Sequence, residues 1–299
     1  MLRAYHATFR ATRCGPCNWL TASEGITSGA RVSSSTGSGV NTHRAWAQGL
    51  KLRLGLEGTR TPVEALDLAS FRRAVVVVAH TDDEINTVGL LSRLRAAGVV
   101  VDLLVLTDGA ANPWTDEKVV GTRSHFECRR DELRAAMKEL SLGDAVLPAL
   151  PDGKLGAHLD EATAIVSAEV ERRSPGLVIT FDPRGINGHP DHVAANVATR
   201  RALAAASKTP ALAMISPPPP FSWALGAGFR SPTPPTIATL TLTAEERERK
   251  ARVFDGYHSQ RKTLRLLTGG LPPRVFFKLF PSEWYVWLRA DAAREWVRA

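Results

Sequence analysis

Cysteine is scarce, with three in 299 residues. That is too few for the disulfide framework of a small secreted domain. Two of them, Cys14 and Cys17, stand in a Cys-Gly-Pro-Cys run with the spacing of a redox dithiol. No apolar strand precedes that run and no clear helix follows it, so no redox role is read into it. Cys128 falls within a helical pattern and reads as packing. No apolar stretch reaches the roughly 18 residues that a membrane span needs, which excludes an integral membrane helix. Acids are nearly missing from one region: residues 1–60 hold eight Lys/Arg against Glu24 and Glu57. The remainder, with 30 basic and 28 acidic residues, is close to neutral, so the net charge of +8 does not mark a nucleic-acid surface. A cytoplasmic protein without a nucleic-acid partner is expected.

What is present divides unevenly. Residues 1–70 are rich in Arg, Ser, Thr and Gly, with a flexible tract at residues 32–39. They lack the apolar core of a secretory signal. They are expected to be a disordered extension, or the product of a start codon set too far upstream. The Ala/Arg-rich body has the composition of a high-GC bacterial protein, and a hydrophobic content of 44% suffices for a sizeable core. A single domain over residues 71–299 is expected, interrupted by a proline-rich lid or insertion at residues 216–236. Within that body apolar strand patterns alternate with helical ones. The fold class expected is α/β, a Rossmann-like three-layer sandwich with a mostly parallel sheet and right-handed crossovers.

The stretch Val75-Val76-Val77-Val78-Ala79-His80-Thr81-Asp82-Asp83-Glu84 organises the chain. Four valines read as a strand covered on both faces. One imidazole and three carboxyls then crowd its end, where an open α/β sheet binds ligands. About a hundred residues on, Leu177-Val178-Ile179-Thr180-Phe181 reads as a second buried strand. It leads through a turn-rich loop to His189-Pro190-Asp191-His192 and an alanine-rich helix. Taken singly, Asp82 and Asp83 read as helix caps, and one His-x-x-His is weak. Taken together, both clusters follow apolar strands and both open helices, which favours one shared site. His80, Asp83 and His192 then form two imidazoles and a carboxylate, a set suited to a catalytic divalent metal with an open position for water. Asp82 stands beside it as a base. Further patterns predict strands over residues 99–107, 145–150 and 213–215 and an edge strand over 237–243. Helices are predicted over 84–97, 122–142, 159–173 and 193–206, and one begins after the cap Thr243.

The pair AHTDDE and NGHPDH resembles the PIG-L/LmbE family of metal-dependent de-N-acetylases, whose usual first motif is AHPDDE; the resemblance spans roughly residues 73–288. It implies hydrolytic removal of an N-acetyl group from a small amino-sugar conjugate. His80, Asp83 and His192 match the family's metal ligands, for zinc or ferrous iron, and Asp82 matches the general base. His189 matches the histidine that stabilises the oxyanion or protonates the leaving amine, and Asp191 would orient one of the two histidines flanking it. Arg129, with Arg130 as the alternative, Asp152 in a Pro-Asp-Gly turn, and Asn187 are placed at the substrate. Two departures stand out: Thr81 replaces the usual proline, and Asn187 occupies a position where mycothiol-pathway members carry tyrosine. Lys250, Tyr257, Ser259 and Gln260 resemble a bacterial Lys…Tyr-x-Ser-Gln signature, and Glu283-Trp284-Tyr285 a Glu-aromatic element. The rival readings are an amidase for another N-acyl substrate and a non-catalytic sugar-binding or scaffold protein. A homo-oligomer stays open.

Overall fold

The computed structural model describes residues 60–217 and 236–298. The expected N-terminal disorder up to residue 59, with Cys14 and Cys17, and the core of the expected lid, residues 218–235, lie outside the described residues. The described strands are β1 Arg60–Pro62, β2 Arg73–Val78, β3 Val100–Val105, β4 Ala145–Val146, β5 Leu177–Phe181, β6 Ala211–Ser216, β7 Thr236–Thr241 and β8 Ser282–Leu288. The principal helices are α1 Val88–Ala96, α2 His125–Leu140, α3 Leu159–Arg173, α4 Pro190–Ala205, α5 Ala244–Gly256, α6 Arg261–Leu267, α7 Pro273–Leu279 and α8 Ala290–Arg298. Among the described residues no helix is long and apolar enough to cross a membrane.

The strands form one sheet in the order β1-β7-β8-β6-β5-β2-β3-β4, all parallel except β8, which runs antiparallel to both of its neighbours. Helices α3, α4 and α8 pack together as one group, and α1, α2, α5 and α7 as another, giving the three layers expected. The valines of β2 are buried because helices cover both faces of the sheet. From β2 the chain winds outward through β3 to β4. Helix α3 then carries it back to β5, on the other side of β2. The strand order therefore reverses between β2 and β5, and their C-terminal ends open on the crevice where such sheets bind ligands. Both motifs leave the sheet at that point.

Several local expectations are corrected. Composition places residues 60–70 in the extension, yet β1 pairs with β7 in register Arg60↔Ile237. Strand β7 is consequently internal, flanked by β1 and β8, rather than an edge. The predicted strand over residues 145–150 pairs only at Ala145–Val146. Pro148 cannot donate to a ladder and Ala149 takes φ 60°, so only Leu150 returns, as an isolated bridge to Thr107. The helix predicted over residues 84–97 starts as a 3-10 turn, Asp83–Thr87, before α1. The expected cap at Thr243 is present, in a reciprocal capping box with Glu246.

Helix α1 has no cap of its own; its N-terminus is closed from across the fold. The Glu283 carboxylate of β8 accepts from Gly89 N at 2.9 Å and Leu90 N at 3.1 Å. It also accepts from Lys250 Nζ and the Tyr285 hydroxyl, each at 2.7 Å. Four donors satisfy this buried anion, one of them a charged lysine and two at a helix N-terminus. Position 89 must be glycine for the approach, because a Cβ there would collide with the Leu240 and Leu242 side chains. Glu283→Ala is expected to cost about 3 kcal/mol, as when one member of a buried ion pair is removed. Thr243→Ala, which removes only a cap, is expected to cost about 1 kcal/mol. Urea midpoints compare them, and equal shifts would mean that Glu283 does not pin β8 to α1.

Candidate active site

His80 follows β2 by two residues, and the turn after it is closed by Asp82 N and Asp83 N donating to His80 O. Asp83 does not cap a helix. Its Oδ2 accepts from His80 N at 2.7 Å, which folds the carboxylate back over the strand end. His192 sits in the first turn of α4, its ring stacked on Phe181 at the end of β5, with centroids 4.0 Å apart and planes at 9°. The connecting loop is built on Asp182, whose Oδ1 accepts from Arg184 N and Ile186 N. Gly185 has φ 64°, and a Cβ there would lie 2.7 Å from His192 Cβ, so the loop closes on the imidazole only with glycine.

These two ends meet through Asp83, whose Oδ1 lies 3.1 Å from His192 Nε2 and whose Oδ2 lies 3.4 Å from His80 Nδ1. Donor atoms sharing one tetrahedral ion at about 2.1 Å would stand about 3.4 Å apart. The outer nitrogens fit the same reading. His192 Nδ1 is 3.1 Å from Gly185 O, and His80 Nε2 is 3.1 Å from Asp152 Oδ1 and 3.3 Å from Asp191 Oδ2. Tautomers that donate N–H on those sides would turn lone pairs on His192 Nε2 and His80 Nδ1 towards Asp83, the arrangement that orients metal-binding imidazoles. His80, His189 and His192 also bring ring nitrogens within 4.8 Å of one another. The described residues thus fit a divalent cation.

The electrostatics agree. Burial disfavours charge on His80, but the surrounding Asp152, Asp191 and Asp83 carboxylates outweigh it and hold its pKa well above the imidazole range. Burial likewise works against the Asp83 carboxylate, and His192 and His80 reverse the effect, setting it well below the usual range. Asp152, also desolvated, is brought down to about 2 by its hydrogen bond to His80. These carboxylates make a strong field for positive charge, whether a proton or a cation carries it.

The remaining candidates take particular places. Asp82 has an unusual backbone, φ 156° and ψ −8°, and its Oδ2 accepts from Arg129 Nη2 at 3.1 Å. Burial raises the Asp82 pKa and Arg129 opposes the rise. Arg129 is buried, with its guanidinium over the Tyr257 ring and its Nε and Nη1 without acceptors among the described residues. The contact seen for Arg129 is therefore with Asp82, while Arg130 stacks over Phe126 beside Asp131. Asp152, expected at the substrate, has its two oxygens on His80 and Ala111 N. The Asp191 carboxylate meets His80 rather than either histidine that flanks it, because Gly153 N and Leu155 N hold it on that side. Asn187 is exposed, and its Oδ1 accepts from His189 N. His189 caps α4, its Nδ1 accepting from Asp191 N at 3.2 Å, so a neutral ring carries its proton on Nε2. Burial, then His80 and His192, lower its pKa.

The sequence reading missed Glu84 as part of this wall. Burial lifts its pKa to about 8, and Tyr257 donates to its Oε1 at 2.6 Å. In the sequence Phe181 is only the last residue of a strand pattern. Its place directly before the histidine loop was the available signal. Thr81, standing at the family's usual proline, is buried with its hydroxyl unpartnered among the described residues. Ser259 donates twice to Glu132, and Gln260 bonds Thr115 and Asn112 of the loop over residues 110–121. Lys250 is spent on Glu283, and His258 meets Arg261 at the surface.

Comparison with known proteins places this arrangement. Residues 75–203 match the PIG-L family, described as GlcNAc-PI de-N-acetylase. A 1D-myo-inositol 2-acetamido-2-deoxy-alpha-D-glucopyranoside deacetylase of Mycobacteroides abscessus is 32% identical over 158 residues, covering 46% of this chain and 57% of that protein. The Streptomyces avermitilis protein of the same name is 35% identical over 163 residues, covering 45% and 54%. The chain thus matches little more than half the length of these relatives. Among solved structures, the A40926 pseudoaglycone deacetylase superposes with a TM-score of 0.57 at 21% identity, covering 73% of this chain and 98% of that one. The N,N'-diacetylchitobiose deacetylase of Pyrococcus horikoshii gives 0.54 at 16% identity, covering 83% and 93%. At such identities the superpositions speak for the fold, which is that of the LmbE-like deacetylases. The match to the PIG-L family, residues 75–203, takes in both motifs.

Proposed function

We propose that this chain is a metal-dependent amide hydrolase that removes the N-acetyl group from an amino sugar or its conjugate. The observation that carries the reading is the Asp83 carboxylate set between His80 Nδ1 and His192 Nε2, with Asp82 beside it. The names of the relatives, deacetylases of a 2-acetamido-glucopyranosyl inositol, supply the substrate class. His80, Asp83 and His192 would hold the ion, zinc or ferrous iron. Such an ion supplies Lewis acidity, which acidifies water and polarises an amide carbonyl.

The chain's own residues do the rest. Asp82 accepts the proton from the attacking water, and Arg129 keeps its carboxylate in place. His189 presents Nε2–H as a donor for the charge that develops on the amide oxygen, since its Nδ1 is fixed as an acceptor. Asp152 and Asp191 hold the His80 ring from behind. Asn187 stands on the exposed lip of the histidine loop, where it can meet the sugar.

Elemental analysis tests the site without a guess at substrate. About one equivalent of zinc or iron is expected in the wild type and none in His192→Ala. Metal-free wild type, even after reconstitution, would replace a hydrolase with a binding protein. Asp191→Asn is expected to weaken metal affinity by about 10–100-fold, the usual effect of removing a group that orients a ligand. Competition with a chelator reads this, and unchanged affinity would remove Asp191 from the role. Asp82→Asn is expected to retain the metal while acetate release from N-acetyl sugars falls by about 10²–10⁴-fold. Normal turnover in that variant would sink the base assignment.

A further inference from the structure

We propose that the α6–α7 segment is a docking surface for an anionic lipid bilayer. Among the described residues the exposed large hydrophobics are Val100, Trp114, Leu266, Leu267, Leu271, Val275, Leu279 and Phe280. Six of the eight fall within fifteen consecutive residues, Leu266 to Phe280, so the exposed apolar side chains are concentrated in one segment of the chain. Leu264 and Phe277 are the buried anchors of the segment, and Phe280, though exposed, also touches the Phe276 ring, with centroids 4.9 Å apart. Phe277 packs edge-on against Phe254 of α5 and under Lys250. The turn between the helices is built: Gly269 and Gly270 take φ 61° and 81°, and the Thr268 hydroxyl bonds Arg265 O and Leu271 O.

Charge identifies the occupant. From residue 256 to residue 282 the chain has no Asp or Glu and carries Arg261, Lys262, Arg265, Arg274 and Lys278. Arg274 is paired with Glu248 and Arg261 with His258. Lys262, Arg265 and Lys278 are exposed, with no side-chain partner among the described residues. A second copy of the same face would set like charges together. The chain's other candidates are no better: residues 1–59 hold seven Lys/Arg against two Glu, and residues 218–235 hold one Arg and no acid. Cations interleaved with Leu, Val and Phe suit the interface of an anionic bilayer, where apolar chains enter the headgroup boundary and Lys/Arg meet the lipid charge. The face also adjoins the site's rim. Asn112 donates to Thr263 of α6 at 2.8 Å, and its neighbour Ala111 donates to Asp152 at 2.8 Å.

Sedimentation of the full chain with vesicles tests this. Partition onto phosphatidylcholine–phosphatidylglycerol vesicles is expected to exceed that onto phosphatidylcholine alone by at least about tenfold and to fall with salt. Leu279→Ser with Phe280→Ser, and separately Lys262→Glu with Lys278→Glu, are each expected to lose that preference by a similar factor while keeping the wild-type circular dichroism. All four side chains are exposed, so the two double variants check one another. Absence of binding would overturn the proposal. So would binding that both variants retain, which would place attachment on the basic first sixty residues. A dimer in sedimentation equilibrium that Leu279→Ser with Phe280→Ser dissolves, without lipid preference in the wild type, would assign the face to a second copy.

Discussion

One carboxylate holds the two halves of the site together. Asp83 follows β2 and His192 opens α4, 109 positions later, and their contact of 3.1 Å is possible only because β2 and β5 are neighbours in the sheet. That adjacency comes from the crossover of α3, which reverses the direction in which strands are added. Everything else around the site adjusts to the contact. His80 is turned by Asp152 and Asp191 so that Nδ1 faces Asp83, and Gly185 clears the space in which the His192 ring lies. A buried anion between two imidazoles is costly unless something positive stands with it. The protein meets that cost with a ring of matched hydrogen bonds and a field that favours a cation.

A second buried anion does for the scaffold what Asp83 does for the site. Glu283 joins the antiparallel strand β8 to the N-terminus of α1, the helix that begins just after the first motif, and to Lys250 of α5. The C-terminal part of the chain thereby fixes the start of α1. The loop over residues 110–121 is tied in the same manner, through Asn112, Thr115, Gln260 and Ser259. The signature residues near the C-terminus act by holding other elements in place, and none reaches the proposed ligand set.

The sequence was most legible where local chemistry and long-range structure agree. The valine run of β2, the apolar β5 and the capping residue Thr243 formed what their patterns require. It was least legible where pairing partners are far apart. Strand β1 pairs with β7 across more than 170 positions, and neither a three-residue strand nor its partner shows that pairing locally. The aromatic run of β8 has no turn signal that would announce an antiparallel strand between β6 and β7.

By itself the sequence determined the strand–turn–helix units and the residue types gathered at their ends, because backbone preference and the chemistry of His and Asp are local properties. It therefore supplied His80, Asp82, Asp83, His189 and His192 as one candidate group. Only the tertiary structure decided which partner each side chain meets. Arg129 lies on Asp82, Asp152 and Asp191 lie behind His80, and Glu84 lies against Tyr257. Those pairings depend on strand order and on where a buried charge finds its donors. Both are settled by the packing of segments more than forty positions apart, and no run of neighbouring residues encodes them.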